Sequence, residues 1–152
     1  MEKNKENKVN NFNIKFMKLA IEASLESKDP NTKVGCVIVD KNNKVIASSC
    51  NNFPKRTKEG DFSWNRDEEW IDSKYPYVVH AELSTILKAH KDLTGCSLYV
   101  TLAPCNNCAL AISQSGISKV YFLEDKYHDV KEFVAARKIL EKSNIKVEQI
   151  KF

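Results

Sequence analysis

From Asn13 onward apolar positions recur at helical spacing, with Phe16, Leu19, Ala20 and Ala23 beside the small Ser24 on one face. The pattern stops before Asp29-Pro30, where proline disfavours helical backbone in the residue ahead of it. Val34-Gly35-Cys36-Val37-Ile38-Val39 is a continuous apolar run rich in β-branched residues. Lys44-Val45-Ile46-Ala47 follows across Lys41-Asn42-Asn43, a turn-prone polar connection, so the two runs predict a hairpin. Residues 51–77 show no sustained period, contain Pro54, Gly60 and Pro76, and carry both tryptophans. A loop of that length in a small domain is usually functional.

Helical spacing returns at Ala81, Leu83, Leu87 and Lys88 and ends near Gly95. Ser97 to Leu102 reads as a strand, Cys105 to Ser115 as a helix closed by Gly116, and Lys119 to Leu123 as another strand. Val130 to Lys142 is predicted helical, and Ile145 to Ile150 alternates like a half-buried last strand. Strands alternating with helices after an initial hairpin predict an α/β protein: a five-stranded mixed sheet with helices on both faces.

The length, 152 residues, fits one domain, expected over 13–152, with residues 1–12 as a polar flexible tail. No apolar run approaches the roughly 18 residues of a membrane span, and the Lys/Glu/Asn-rich start has no apolar core of a secretory signal. No membrane is therefore expected, and the cytoplasm is the expected address. Lys plus Arg number 24 against 20 Asp plus Glu, a net charge of +4, and only three of the 24 are Arg. Lys scattered among acids is unlike the Arg-rich stripe of a nucleic-acid binder, so no nucleic-acid partner is expected. Five cysteines is an odd number, which leaves at least one thiol free or bound to something other than sulfur.

Two short segments carry the chemistry: His80-Ala81-Glu82 and Pro104-Cys105-Asn106-Asn107-Cys108, each where a loop becomes a predicted helix. Cys105 and Cys108 at i and i+3 share one side of a helical turn, and a helix N-terminus favours the thiolate that a metal needs. Two sulfurs and one imidazole suit Zn²⁺, with a fourth tetrahedral position left for water. Glu82 is placed for general acid/base work rather than as a ligand. H-x-E followed by P-C-x-x-C is the pattern of zinc deaminases that act on cytosine or adenine. One alternative stays open on spacing alone, a closed structural site completed by Cys36, Cys50 or Cys96; those three otherwise read as packed thiols.

Longer segments agree with the pattern. Ser27-Lys28-Asp29-Pro30-Asn31-Thr32-Lys33-Val34-Gly35, Asp72-Ser73-Lys74-Tyr75-Pro76-Tyr77-Val78-Val79-His80-Ala81-Glu82-Leu83, Gly95-Cys96-Ser97-Leu98-Tyr99-Val100 and Asp125-Lys126-Tyr127-His128-Asp129 resemble the deoxycytidylate branch of the zinc-dependent cytidine deaminase superfamily. The resemblance covers nearly everything from Ser27 onward. It implies a three-layer α/β/α sandwich, a homo-oligomer, commonly a hexamer, and conversion of dCMP and water to dUMP and ammonia. It also implies that Asn51, with main-chain groups near Ala81, Ala103 and Cys105, holds the nucleoside and the reacting base. Lys28, Asn31, Thr32, Lys33 and Arg66 become candidates for the 5′-phosphate, and Tyr127 or His128 for a lid over the base.

Two departures stand out. Ser49-Cys50-Asn51-Asn52 occupies the place of the family's Gly-Tyr-Asn-Gly, and Ser84 that of the asparagine after His-Ala-Glu-Leu. The first weakens any expectation that dCTP and dTTP act as effectors. Either one makes room for another cytosine nucleotide, a nucleoside or a nucleic-acid base as substrate, or for a zinc protein that has lost turnover.

Overall fold

The computed structural model describes residues 2–152, with side chains from Asn10 onward. Its elements run α1 (Glu2–Ser24), β1 (Gly35–Val39), β2 (Val45–Cys50), α2 (Ala81–Ala89), β3 (Ser97–Leu102), α3 (Asn106–Ser115), β4 (Lys119–Glu124), α4 (Lys131–Lys142) and β5 (Lys146–Gln149), with a single 3₁₀ turn at Trp70–Asp72 in the long loop. The strand order is β2-β1-β3-β4-β5. β1 pairs antiparallel with both β2 and β3, whereas β3, β4 and β5 are parallel. Each parallel step is bridged by a helix, as parallel pairing demands.

The alternation of β1 explains the three layers. Cys36 and Ile38 face the layer of α2, α3 and α4, where they pack with Leu98, Val100, Ile112 and Leu140. Val37 and Val39 face α1, with Phe16, Met17, Ala20, Tyr99 and Tyr121. A strand buried on both faces cannot alternate apolar with polar, hence the unbroken run in the sequence. Tyr99 and Tyr121 stack at 4.7 Å, and the Tyr99 hydroxyl donates to the buried Asn13 side chain, which anchors α1 to the sheet. The α/β/α sandwich with a five-stranded mixed sheet is the predicted architecture.

Four local expectations change. Helix α1 begins at Glu2, not Asn13: the polar stretch read as a tail continues the helix, since each added residue extends a nucleated helix by one bond and Lys and Glu are good helix formers. It also ends earlier, at Ser24, where successive N–H groups of Leu25, Glu26 and Ser27 bond three residues back instead of four. Strand β2 continues to Cys50, past the Ala47 that marks the end of the apolar run, because its last residues pair with Gly35, Cys36 and Val37 of β1. Strand β5 is not half-buried: all four of its residues are exposed, and the buried residues are Ile145 and Ile150 on either side. It is the sheet's edge, where residues 146–149 have a strand neighbour on one side only.

Helix α3 is closed as predicted by Gly116, whose φ of 87° is left-handed and favours glycine. The topology brings the start of β1, the ends of β2, β3 and β4, and the loops that follow them to one edge of the sheet. In open α/β sheets ligands bind beyond the carboxyl ends of the parallel strands, which is this edge.

Candidate metal centre

His80 is the N-cap of α2 and Cys105 the N-cap of α3, so both stand at helix starts on the same edge of the sheet. One helical turn further, Cys108 is carried back toward Cys105. The ligand atoms of His80, Cys105 and Cys108 lie within 4.8 Å of one another. The imidazole Nδ1 is 3.5 Å from Cys105 Sγ and 3.3 Å from Cys108 Sγ. Two donors on a tetrahedral zinc, with Zn–S of about 2.3 Å and Zn–N of about 2.05 Å, sit about 3.6 Å apart. The three side chains are therefore spaced for Zn²⁺. Among the described residues no fourth His, Cys or carboxylate joins this group. Cys36, Cys50 and Cys96 are buried elsewhere, which removes the closed four-ligand alternative.

The electrostatics match a site built to bind a cation. Hydrogen bonding between the two thiols is the largest cause of shift in each: Cys105 is pulled down to about 4 and Cys108 is pushed up. His80 is raised above the ordinary imidazole value, chiefly by its hydrogen bond with Cys105 and against the effect of burial. Glu82 is 4% exposed, and burial pushes its carboxyl up to about 7, the His80 charge opposing. Cys36 on β1 lies behind it, its own thiol raised by burial and then by the Glu82 charge. A carboxyl poised near neutrality against the metal ligands is suited to accept and return protons.

The other predicted contacts divide. Ala81 is fully buried at the first turn of α2. The N–H of Ala103 donates to Glu124 O at 2.9 Å, which leaves its carbonyl as the group it can offer a ligand. Asn51 is buried and spans two loops: Val34 N–H donates to its Oδ1 at 2.8 Å, and its Nδ2 donates to Thr32 O at 2.9 Å. Asn31, Thr32 and Lys33 line one wall of a cavity of about 270 Å³, whose other wall includes Thr101, Glu124 and Lys126. None of the metal ligands lines this cavity, which also takes in Ile21 and Ser24 of α1.

Lys126, beside Tyr127 in the Asp125–Asp129 segment, lines the cavity although no local motif marks it. Lys28 is exposed and holds Asn52 Oδ1 through its main-chain N–H, and Arg66 is exposed on the long loop away from the cavity. Tyr127 rests on Phe133, ring centres 5.3 Å apart, and His128 Nδ1 is 2.6 Å from Asp125 Oδ2.

The two departures meet in space. Ser49 Oγ and Ser84 Oγ are 2.8 Å apart, joining β2 to α2. A position with a side chain in place of glycine thus faces one with a shorter side chain in place of asparagine, and the Ser84 hydroxyl is engaged within the fold.

A sheet with these crossovers, a His-Cys-Cys cluster at two helix starts and a buried carboxyl beside it define a zinc-dependent deaminase class. The model described as the cytidine and deoxycytidylate deaminase zinc-binding region matches residues 10–124, and the chain belongs to that family. Its deoxycytidylate branch supplies similar proteins. The chain is 47% identical to the deoxycytidylate deaminase of Homo sapiens over 124 residues, covering 80% of this chain and 70% of that one. With the deoxycytidylate deaminase of Pongo abelii it is 43% identical over 132 residues, covering 86% and 74%. The crystal structure of dCMP deaminase from the cyanophage S-TIM5 in complex with dCMP and dUMP superposes with a TM-score of 0.70 at 29% identity, covering 89% of this chain and 93% of that one.

Proposed function

We propose that this protein catalyses the hydrolytic deamination of dCMP to dUMP and ammonia, with Glu82 as its proton carrier. The observation that carries the reading is the buried Glu82 carboxyl beside three correctly spaced zinc ligands, in a chain akin to deoxycytidylate deaminases over most of its length. His80, Cys105 and Cys108 would hold the ion. When bound, zinc supplies Lewis-acid activation of water at neutral pH.

The rest is done by the chain. Glu82 accepts the proton that water gives up as its oxygen attacks C4 of the pyrimidine, and returns it to N3. It then takes the second proton from the hydroxyl now on C4 and passes it to the exocyclic amine, which leaves as ammonia while C4–O becomes the carbonyl. Asn51 and the main-chain groups of Ala81 and Ala103 orient the nucleoside, and Tyr127 covers it from the loop after β4.

For the phosphate, the cavity favours Asn31, Lys33 and Lys126 over Lys28 and Arg66. Two ammonium groups around one opening attract a dianion as point charges. Lys33→Ala with Lys126→Ala is expected to raise KM for dCMP about a hundredfold, each lost charge-assisted contact being worth roughly 1.5 kcal/mol, and to leave deoxycytidine turnover as it was. Steady-state kinetics on the two substrates check this.

The reading as a whole is tested by ammonia release from dCMP, CMP, dCTP, deoxycytidine and cytosine. Turnover is expected for dCMP first, lost on treatment with a chelator and restored by zinc. No turnover of any cytosine compound by the zinc-loaded protein would overturn it and favour a zinc protein without activity. No helix among the described residues is long and apolar enough to cross a membrane. We place the enzyme in the cytoplasm as a single domain, acting on a free nucleotide rather than nucleic acid. The exposed Leu83, Leu87 and Leu110 on α2 and α3 support a homo-oligomer, with a hexamer as the proposed form. The Ser49–Ser84 contact gives no support to dCTP or dTTP as effectors.

A further inference from the structure

We infer that the buried ion pair of Asp29 and Lys74 is a positioning latch, which holds the 27–34 segment against Asn51 and against the segment leading into His80. The inference rests on the nucleotide reading above, because Asn31 and Lys33 belong to the held segment.

The pair is out of the solvent: Lys74 Nζ is 2.7 Å from Asp29 Oδ2, with side chains 8% and 2% exposed. Removing two charges from water is expensive, and such pairs are often replaceable by apolar residues without loss of stability. Stability alone therefore does not account for it. What the pair does account for is geometry.

The Asp29 carboxylate accepts three hydrogen bonds. Oδ2 takes the ammonium, while Oδ1 takes the N–H groups of Asn31 at 2.8 Å and Thr32 at 3.2 Å. This bends the segment so that Thr32 O meets Asn51 Nδ2 and Val34 N–H meets Asn51 Oδ1. Ser27 closes the other end, donating to Asn51 O at 2.8 Å and accepting the Asp29 N–H. On the far side, the carbonyl of Lys74 receives the N–H groups of Tyr77 and Val78. Val79 then exchanges two main-chain bonds with Asn52, and the next residue is His80. One ion pair thus joins three stretches of chain that converge on the site. A neutral Asn at position 29 keeps one acceptor oxygen for Asn31 and Thr32 but turns its amide donors toward the ammonium. Only a carboxylate serves both sides.

The test uses the zinc-loaded full chain, the double variant Asp29→Asn with Lys74→Met, and Lys74→Arg. The double variant leaves no buried charge unpaired and keeps the Oδ1 acceptor, so it should fold; Lys74→Arg keeps the pair and displaces one partner through its larger head group. In both, the ratio of kcat/KM for dCMP to that for deoxycytidine is expected to fall, about tenfold in the double variant, mainly through KM and with zinc content unchanged, since small displacements of positioning groups cost that much or more. A parent-like ratio and KM in both would overturn the latch, as would a loss confined to the melting temperature or to kcat on both substrates alike. If the double variant does not fold, Lys74→Arg decides on the same criteria. Turnover of dCMP by the parent protein tests the nucleotide reading separately.

Discussion

Glu82→Gln is expected to lower kcat for dCMP by about 10² to 10⁴-fold, the range that a positioned general acid/base contributes. The amide has nearly the shape of the carboxyl and keeps its capacity for hydrogen bonds, but it cannot take a proton from water or deliver one to the departing amine. Zinc content, measured by elemental analysis, should stay at the parent value, because Glu82 is outside the ligand group. Cys108→Ala gives the contrast, with zinc and turnover lost together. If Glu82→Gln retained parent kcat, proton transfer would have to be assigned to another group. A loss of zinc in Glu82→Gln would instead make it a ligand. Burial raises its carboxyl to about 7, which suits the proton-carrying role proposed for it.

Gly35→Ala should be the most damaging of the glycine-to-alanine changes in this chain. A Cβ built at Gly35 would lie 1.8 Å from Ala20 O and 2.5 Å from Ser24 N, both main-chain atoms of α1. Flexible side chains can move aside; a helix backbone cannot without lifting Phe16, Met17 and Ala20 from the sheet. The expected cost is about 3 kcal/mol or more, a fall in Tm of roughly 10 °C for a chain of this size. Thermal melts of the zinc-loaded protein check it, and a Tm within a degree or two of the parent would show that α1 is less firmly seated than its packing indicates. Gly35 also opens the strand that follows Asn31, Thr32 and Lys33. Any surviving protein should therefore bind dCMP more weakly as well.

The chemistry was easier to read than the packing, and particular residues show why. Cys105 and Cys108 are one helical turn apart, so their convergence is a local fact that spacing alone contains. His80 and Glu82 are two residues apart at the next helix start. Only the meeting of the two segments needed the sheet, which sets both helix starts at one edge. By contrast, Asp29 meets Lys74 and Ser49 meets Ser84 across long separations, and nothing in either segment names its partner.

The sequence by itself determined the alternation of elements, the apolar run of β1 and the candidate zinc ligands with a carboxylate beside them. These follow from the 3.6 and 2.0 residue periods and from ligand chemistry, which act over a few residues. Tertiary structure decided where α1 stops, how far β2 runs, that β5 is an exposed edge, that Ser84 turns to Ser49, and that Lys126 rather than Arg66 shares a cavity with Asn31 and Lys33. Each of those depends on strand order and on which loops the sheet brings side by side. Long-range contacts are set by the whole chain's packing, and no local pattern encodes them.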